Sequence, residues 1–352
     1  MGLTKAQLAL ITKARTASVS ESGVPLDDGI CAYLLAVIAR DLELLDSLPE
    51  INTDIPSFFG SQSPISLRLD GVAFLPLFER LLAMRADVDT YFYCLAIVHK
   101  ARLKYERILQ TQATPTIDQV GPRGLLQYGT LSPKALAGFL FWRKWLFDID
   151  NRAGQETGYV FEPIIAYAIG GVPYSAKKSP VKRGGVGQQG RQVDCIRDQR
   201  AYEIKVPVTI AASGQGRWSE ELEFPNDCQA SSYTPVLVVL DPTPNPKLHE
   251  LSKAFIHAGG EVYIGKDAWD HLASQAGQTM ARFLDTYVHN PLQTLLREAP
   301  LQLPKMTLEV GDNTMLITIG GEKLIIRRNP KLELAPNPDE LPDDIDEDTP
   351  GL

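Results

Sequence analysis

Apolar residues at helical spacing dominate the first 150 residues of the chain. The pattern is clearest over residues 28–47 and 87–112, and each of these segments predicts a helix. A further helix is predicted to begin at Ser132, because serine is a favoured N-cap residue and the proline behind it fits the first helical position. An aromatic stripe at 139–147 could stack on bases, but burial against a core explains it better. Residues 1–150 are therefore predicted to form a helical N-terminal region.

From about residue 151 the chain alternates between helical and strand-like patterns. The strand at 235–241 is apolar throughout, which is typical of a central strand buried on both faces. Asp198-Gln199 separates two shorter strands and suits a tight hairpin, and a long polar loop is predicted between that hairpin and the central strand. The alternation predicts an α/β layered domain over 151–290. In chain order, its predicted elements are helix 158–169, strands 192–197, 201–208 and 235–241, helix 245–258, strand 261–265 and helix 267–289.

The C-terminal part of the chain divides into two pieces. Three short apolar strands separated by glycine turns predict a small β-meander within residues 291–335. Residues 336–352 are rich in proline and acidic residues, which predicts a disordered tail.

Composition narrows the class of protein. With 44% hydrophobic and 22% charged residues, the chain has an ordinary globular composition. No apolar run is long enough for a membrane span, and the N-terminus has no signal-peptide architecture, so a cytoplasmic location and no membrane partner are expected. Neither the four cysteines nor the five histidines show metal-ligand spacing, so a disulfide framework and a zinc site are not expected.

The net charge of −8 argues against a polyanionic partner only until its distribution is considered. Residues 337–352 hold seven acidic residues and no base. The rest of the chain is nearly neutral, so it can carry a local basic face.

Two predicted strands carry a combination of acids and a lysine that is suited to phosphodiester chemistry. Glu203 and Lys205 lie on one face of their strand because strand side chains alternate, and the hairpin brings Asp194 beside Glu203. The carboxylates are oxygen ligands of the kind that Mg²⁺ prefers, and the Ile204 carbonyl is a further candidate ligand. Lys205 can orient or deprotonate a water and offset charge on phosphorus. Glu203-Ile204-Lys205 is the only (Asp/Glu)-x-Lys triplet in the chain, although a cross-strand ion pair would also explain these residues.

A third acid is a candidate member of the same site. Glu162 lies on an otherwise apolar predicted helix, where a glutamate needs a partner. That partner is either the metal site or solvent at the helix surface. Glu156 is the competing candidate on this segment.

Basic residues are concentrated on both sides of the predicted hairpin, which is typical of a phosphate-binding surface. The alternative is a solvated loop. A second unusual segment, around 213–218, combines glycines with residue types that contact base edges or stack, and its alternative is a flexible linker. The G-x-G-x-x-G match at 185–190 is not a dinucleotide site, because no strand precedes it and no helix follows. The candidate DNA-binding residues are Lys177, Lys178, Lys182, Arg183, Arg191, Ser213, Gln215, Arg217 and Trp218, with Arg197 and Arg200 in the same basic cluster.

These residues resemble the PD-(D/E)xK nuclease superfamily, with Asp194 on one strand, Glu203-Ile204-Lys205 on the next and Glu162 on the preceding helix. Val193 stands where the superfamily usually has proline. More narrowly, residues 190–272 resemble the ApaLI-like type II restriction endonucleases, in segments such as Arg191-Gln-Val-Asp194 and Thr209-Ile-Ala-Ala-Ser-Gly-Gln-Gly-Arg217. The resemblance implies a mixed central sheet flanked by helices, and a homodimer that cuts both strands of a palindromic, GTGCAC-like site.

The leading hypothesis is therefore a Mg²⁺-dependent type II site-specific deoxyribonuclease acting on double-stranded DNA. In it, the N-terminal helices frame the DNA or the dimer. Two alternatives remain open: a non-specific or structure-specific repair nuclease on the same fold, and a non-catalytic DNA-binding protein whose acids form ion pairs.

Overall fold

The structure, a computed structural model, describes residues 2–16, 24–51, 54–184, 189–206, 215–298 and 302–329. Ser213 and the predicted tail at 336–352 lie outside the described residues. Among the residues described, no helix combines the length and the apolarity needed to cross a membrane.

The N-terminal half is helical, as the periodicity predicts. Its helices are α1 (Lys5–Arg15), α2 (Asp28–Asp41), α3 (Phe74–Met84), α4 (Val88–Thr111), α5 (Ile117–Val120) and α6 (Pro133–Ala168), with short 3₁₀ turns at Leu45–Ser47, Pro64–Ser66 and Gly121–Gln127. Helix α2 is buried from Gly29 to Ala39, so it forms the centre of this region and is enclosed by the other helices.

Helix α6 unites two segments that the sequence predicts as separate helices. It runs without interruption from Pro133 to Ala168 and crosses residue 150, near which the sequence changes from a helical pattern to alternating helical and strand-like patterns. The polar stretch between the two predicted helices stays helical because it packs along α4, where Lys104 Nζ lies 2.6 Å from Glu156 Oε1. The N-terminal helices and the residues that follow are therefore joined by one continuous element.

A mixed five-stranded sheet forms the centre of the second half, in the order β1-β2-β3-β4-β5. The β1–β2 and β2–β3 pairs are antiparallel, and the β3–β4 and β4–β5 pairs are parallel. This mixed sheet with flanking helices confirms the predicted α/β class, while β1 was not predicted. The strands are β1 (Val172–Tyr174), β2 (Val193–Arg197), β3 (Arg200–Lys205), β4 (Thr234–Val239) and β5 (Glu261–Ile264).

The helices around this sheet differ from prediction in two places. The segment predicted as a long polar loop contains α7 (Gln215–Ala230), a helix that carries Pro225 in its interior. The single helix predicted at 267–289 is divided near Gly277, where the helix that follows takes this residue as its N-cap. The remaining helices are α8 (Pro246–His257), α9 (Lys266–Gln275), α10 (Gln278–Leu284) and α11 (Asn290–Arg297), with a π-helical turn at Asp285–His289.

Both faces of the sheet are buried, which explains the apolar central strand. On one face, Tyr202 and Val238 belong to a large core shared with α2, α4 and α6. On the other face, Ala201 and Leu237 pack against α7 and α8. Since alternate residues of β3 face opposite cores, the polar side chains at its end share the face that is covered by α7.

The C-terminal meander forms a separate three-stranded sheet, and its three strands confirm the predicted ones. They are β6 (Met306–Val310), β7 (Thr314–Ile319) and β8 (Glu322–Arg327). Met315 and Ile326 pack on Trp145 of α6, which is fully buried. Burial against a core, the better of the two explanations offered for the aromatic stripe, is therefore confirmed for Trp145. Phe147 of the same helix is 61% exposed.

Trp145→Ala is expected to detach the meander from α6, because a buried tryptophan replaced by alanine costs about 3–5 kcal/mol. The measurement is the free energy of unfolding in denaturant, together with protease cleavage within 302–329. Phe147→Ala, on the exposed side of the same helix, is the matched control and should change the free energy by less than ~0.5 kcal/mol. Equal effects of the two substitutions would contradict this docking.

Candidate active site

The β2–β3 hairpin places the predicted acids side by side. Its register pairs Cys195 with Tyr202. Continuing that register by one residue puts Asp194 opposite Glu203, with both side chains on the same face. The backbone N–H of Ile204 donates to Asp194 Oδ2 at 2.8 Å. Asp194 is thus held at the point where the strand pairing ends.

The turn of this hairpin determines which residues lie at its open end. Asp198 has a φ of +53°, a left-handed conformation that aspartate tolerates better than most residues. With Gln199 it closes the two-residue connection that the sequence predicts, and Arg197 pairs with Arg200 directly across it. The tight turn leaves Asp194 and Glu203 at the far, open end of the hairpin.

Lys205 lies between two carboxylates. Its Nζ atom is 2.7 Å from Glu203 Oε1 and 3.4 Å from Glu221 Oε1. The three side chains are 18–21% exposed, so the group is largely desolvated. Burial lowers the pKa of Lys205, but Glu203, Glu221 and Asp194 outweigh it and hold that pKa above its ordinary value. The lysine is therefore a cation, and it lies within reach of the predicted acids.

Helix α6 brings Glu162 to the same place. Burial, and next the neighbouring Glu203, raise the pKa of Glu162 to about 7, and Lys205 only partly offsets this. Glu156, the competing candidate, instead forms an ion pair with Lys104 on α4. Of the two glutamates, the geometry brings Glu162 to the cluster.

The pKa of Asp194 is also raised. Burial raises its pKa well above the ordinary value, and Glu203 and Glu162 add to the increase. The opposing effects of Lys205 and of the Ile204 N–H do not reverse the shift. The cluster therefore contains more acid than its single ammonium group can neutralise.

This donor set fits a Mg²⁺ ion. In the described part of the chain, no three side chains among Asp, Glu, His and Cys converge closely enough to form a ligand group. Mg²⁺ does not need three, because it is usually bound by one or two carboxylates and keeps waters and substrate phosphates as its other ligands. Asp194 and Glu203 supply two carboxylates, and the Ile204 carbonyl lies on the same strand edge as the N–H that Asp194 binds. Burial, and next the neighbouring Glu203 and Glu162, raise the pKa of Asp194, and a bound cation would oppose all of these effects by favouring the ionised carboxylate.

Arg191 occupies a different place from the one the sequence indicates. It is 6% exposed, its Nε lies 2.6 Å from Asp227 Oδ2, and its Nη1 donates to the Glu220 carbonyl at 2.9 Å. A buried guanidinium engaged in this way cannot meet a phosphate, so the predicted DNA contact of Arg191 is corrected to an internal one. Its effect is to attach α7 to the start of β2.

The other predicted DNA contacts on this segment differ in exposure. Lys177 and Lys178 are exposed on the segment after β1. Lys182 Nζ donates to the Ser179 carbonyl at 2.7 Å, and Arg183 pairs with Glu220 at 2.9 Å near the surface. The exposed side of this segment is therefore lysine-rich.

The predicted base-reading loop is in fact the beginning of α7 from Gln215 onward. Gln215 and Arg217 lie in its first turn. Trp218 is partly buried against the core formed with α8, and Lys247 Nζ lies 5.2 Å from its ring centroid. Part of the Trp218 ring therefore packs on this core, and its DNA contact stays a prediction.

Two further arginines of the basic cluster lie away from the acids. Arg197 donates to the Gln275 carbonyl at 2.9 Å, and Arg200 Nε lies 3.2 Å from Glu261 Oε1. Both flank the hairpin turn, at the other end of β3 from Lys205, which for a six-residue strand is roughly 16 Å away. These arginines are close to the acids in sequence but not in space, because the length of β3 separates the hairpin turn from Lys205.

Glu221 is a site residue that the sequence analysis missed. The signal was its spacing: Trp218, Glu221, Phe224 and Cys228 recur at helical intervals, with an acid in an otherwise buried stripe. Pro225 and the polar composition of the segment conceal that pattern.

The raised pKa of Glu162 predicts that the metal-free protein loses stability as pH rises. A carboxyl group whose pKa is higher in the folded than in the unfolded state stabilises the fold below its unfolded value of 4.5, and that contribution is lost up to about pH 7. The free energy of unfolding should fall by up to about 3 kcal/mol across this range, measured by chelator-treated denaturation series. Glu162→Gln should reduce the fall, whereas Glu156→Gln on the same helix should retain it. A pH-independent free energy of unfolding would count against this cluster.

Comparisons with known proteins match most of the chain to one family of restriction endonucleases. The sequence profile of the ApaLI-like restriction endonuclease family matches residues 74–289, a range that contains the sheet, α6 and α7. A "Type II restriction enzyme ApaLI" from Acetobacter pasteurianus is 44% identical in an alignment of 270 positions that covers 72% of this chain and 72% of that enzyme. No solved structure matches the chain. The extent of both matches shows that the chain belongs to the ApaLI-like restriction endonuclease family.

Proposed function

We propose that this chain is a type II restriction endonuclease that hydrolyses phosphodiester bonds of double-stranded DNA at a specific palindromic site, with Mg²⁺ as its cofactor. One observation carries the proposal: a chain of this family has Asp194, Glu203 and Lys205 together at the open end of one hairpin. The separation of 2.7 Å between Lys205 Nζ and Glu203 Oε1 puts a cation within reach of any phosphate that a metal on these acids would bind.

In this proposal each residue has a distinct role. Asp194 and Glu203 hold Mg²⁺, with the Ile204 carbonyl as a further ligand. When bound, the metal polarises the phosphate and lowers the pKa of a water ligand. Lys205 positions the attacking water and offsets the charge that develops on phosphorus. Glu162 assists these residues as a proton acceptor or donor.

The DNA surface that we propose begins beside this site. Lys177 and Lys178 are exposed and contact the phosphate backbone without regard to sequence. Gln215 and Arg217, in the first turn of α7, are residue types that pair with adenine and guanine edges in the major groove. Ser213 belongs to the same proposed surface.

The first test uses a plasmid incubated with the purified protein and Mg²⁺, with chelator in a parallel reaction. Asp194→Ala and Lys205→Ala should each lower the cleavage rate by roughly 10²–10³-fold or more, while DNA binding in Ca²⁺ changes by only a few-fold. Arg200→Ala, at the other end of β3, is the control and should keep the rate near that of the wild type. Cleavage that survives both active-site changes would refute the assignment.

The pattern of fragments distinguishes the remaining alternatives. Discrete bands mean site recognition, whereas a smear means the repair-nuclease alternative. Absence of cleavage with any divalent ion would favour the non-catalytic DNA-binding protein.

We further expect the recognised site to resemble GTGCAC, as the family resemblance implies, and the enzyme to act as a homodimer. A palindrome presents two identical half-sites, which a two-fold symmetric dimer matches. Oligonucleotides with GTGCAC should be cut, and a single changed base pair should weaken specific binding by ~1–3 kcal/mol.

Sedimentation of the protein should give twice the 38.8 kDa chain mass, as expected for a homodimer. A monomer on DNA, or equal cutting of the altered duplex, would overturn this expectation.

A further inference from the structure

We propose that Glu221 is a positioning residue for Lys205, the second carboxylate that keeps this ammonium group in place while DNA is cut. The inference rests on the proposed function, since it concerns how Lys205 is held for that reaction. Glu221 lies on α7 and approaches Lys205 from outside the hairpin that carries the other members of the site.

The need for a second carboxylate follows from the two demands on Glu203. Glu203 Oε1 is the nearest anion to Lys205, at 2.7 Å, and Glu203 is also a proposed ligand of the cation. A carboxylate that shares its charge with a divalent ion attracts an ammonium group less strongly. Glu221, at 3.4 Å, then remains as the anion that determines where Lys205 Nζ lies.

Glu221 is held firmly enough for this task. Arg191 donates to the carbonyl of Glu220 at 2.9 Å and pairs with Asp227 at 2.6 Å, so α7 is attached on both sides of residue 221. Phe224, one turn further along α7, is buried against α8. The position of the Glu221 backbone relative to β3 is therefore determined by buried contacts.

The surroundings of Glu221 favour this role over one in stability alone. The Oε2 atom of Glu221 is buried and has no hydrogen-bond partner among the residues that the structure describes. An unpaired buried carboxylate oxygen costs free energy that an apolar side chain in this stripe would avoid. Keeping a carboxylate here is explained by its contact with Lys205, and the second oxygen is available to the ammonium group if that group shifts during the reaction.

The experiment compares Glu221→Gln with Glu223→Gln, an exposed position on the same helix. Single-turnover cleavage of a labelled duplex in Mg²⁺ should slow by roughly 10–100-fold in Glu221→Gln, because misplacement of a catalytic group by about 1 Å costs up to that much. The DNA Kd measured in Ca²⁺ and the thermal midpoint should stay near wild type, and Glu223→Gln should match the wild type throughout. A rate for Glu221→Gln within two-fold of wild type would overturn the proposal.

A double variant separates positioning from an independent role. If Glu221 acts through Lys205, then adding Glu221→Gln to Lys205→Ala produces no further loss of the residual rate. A further ten-fold loss, or a raised Mg²⁺ concentration at half-maximal rate in Glu221→Gln alone, would instead make Glu221 a cation ligand and refute positioning. Failure of the wild-type protein to cut DNA would refute the proposed function itself, so the two failures are distinguishable.

Discussion

More half-buried carboxyl groups than ammonium groups lie at the open end of the β2–β3 hairpin, and the other features of the site follow from this excess of acid. Removing charges from water costs several kcal/mol each, and carboxylates close together raise one another's pKa. Lys205 and the backbone N–H of Ile204 meet part of this cost. The pKa values of Asp194 and Glu162 nevertheless stay above their ordinary values. In the metal-free protein these groups therefore remain under an electrostatic strain, which a divalent cation bound to them would relieve.

The fold tolerates this electrostatic cost because both faces of the sheet are buried in large apolar cores, which stabilise the folded state. Each flanking layer also contributes one glutamate to the hairpin: α6 carries Glu162 and α7 carries Glu221. Helix α6 packs in the same core as the N-terminal helices, and α7 is attached to β2 through Arg191. The site is thus assembled from three elements whose mutual positions are determined by packing far from the carboxylates.

The basic residues near the hairpin fall into two groups: arginines that contact other parts of the fold, and lysines that face solvent. Of the bases clustered in sequence, Arg191 is internal, while Arg197 and Arg200 flank the hairpin turn away from the acids. Lys177 and Lys178 stay exposed. A phosphate backbone would therefore meet lysines on the segment after β1, while the arginines nearest to the acids in sequence maintain the fold.

Elements and contacts that depend on neighbouring residues could be predicted from the amino-acid pattern alone. Strand alternation and a two-residue turn were sufficient to join Asp194, Glu203 and Lys205, and the C-terminal strands followed from their own apolar pattern. Only the tertiary structure decided that 133–168 is one helix, that α7 replaces a predicted loop, and that Glu221 reaches Lys205. These outcomes depend on contacts between residues distant in sequence. Packing along α4 keeps a polar stretch helical, and burial against α8 supports a helix that contains a proline. Local propensity contains no information about such partners.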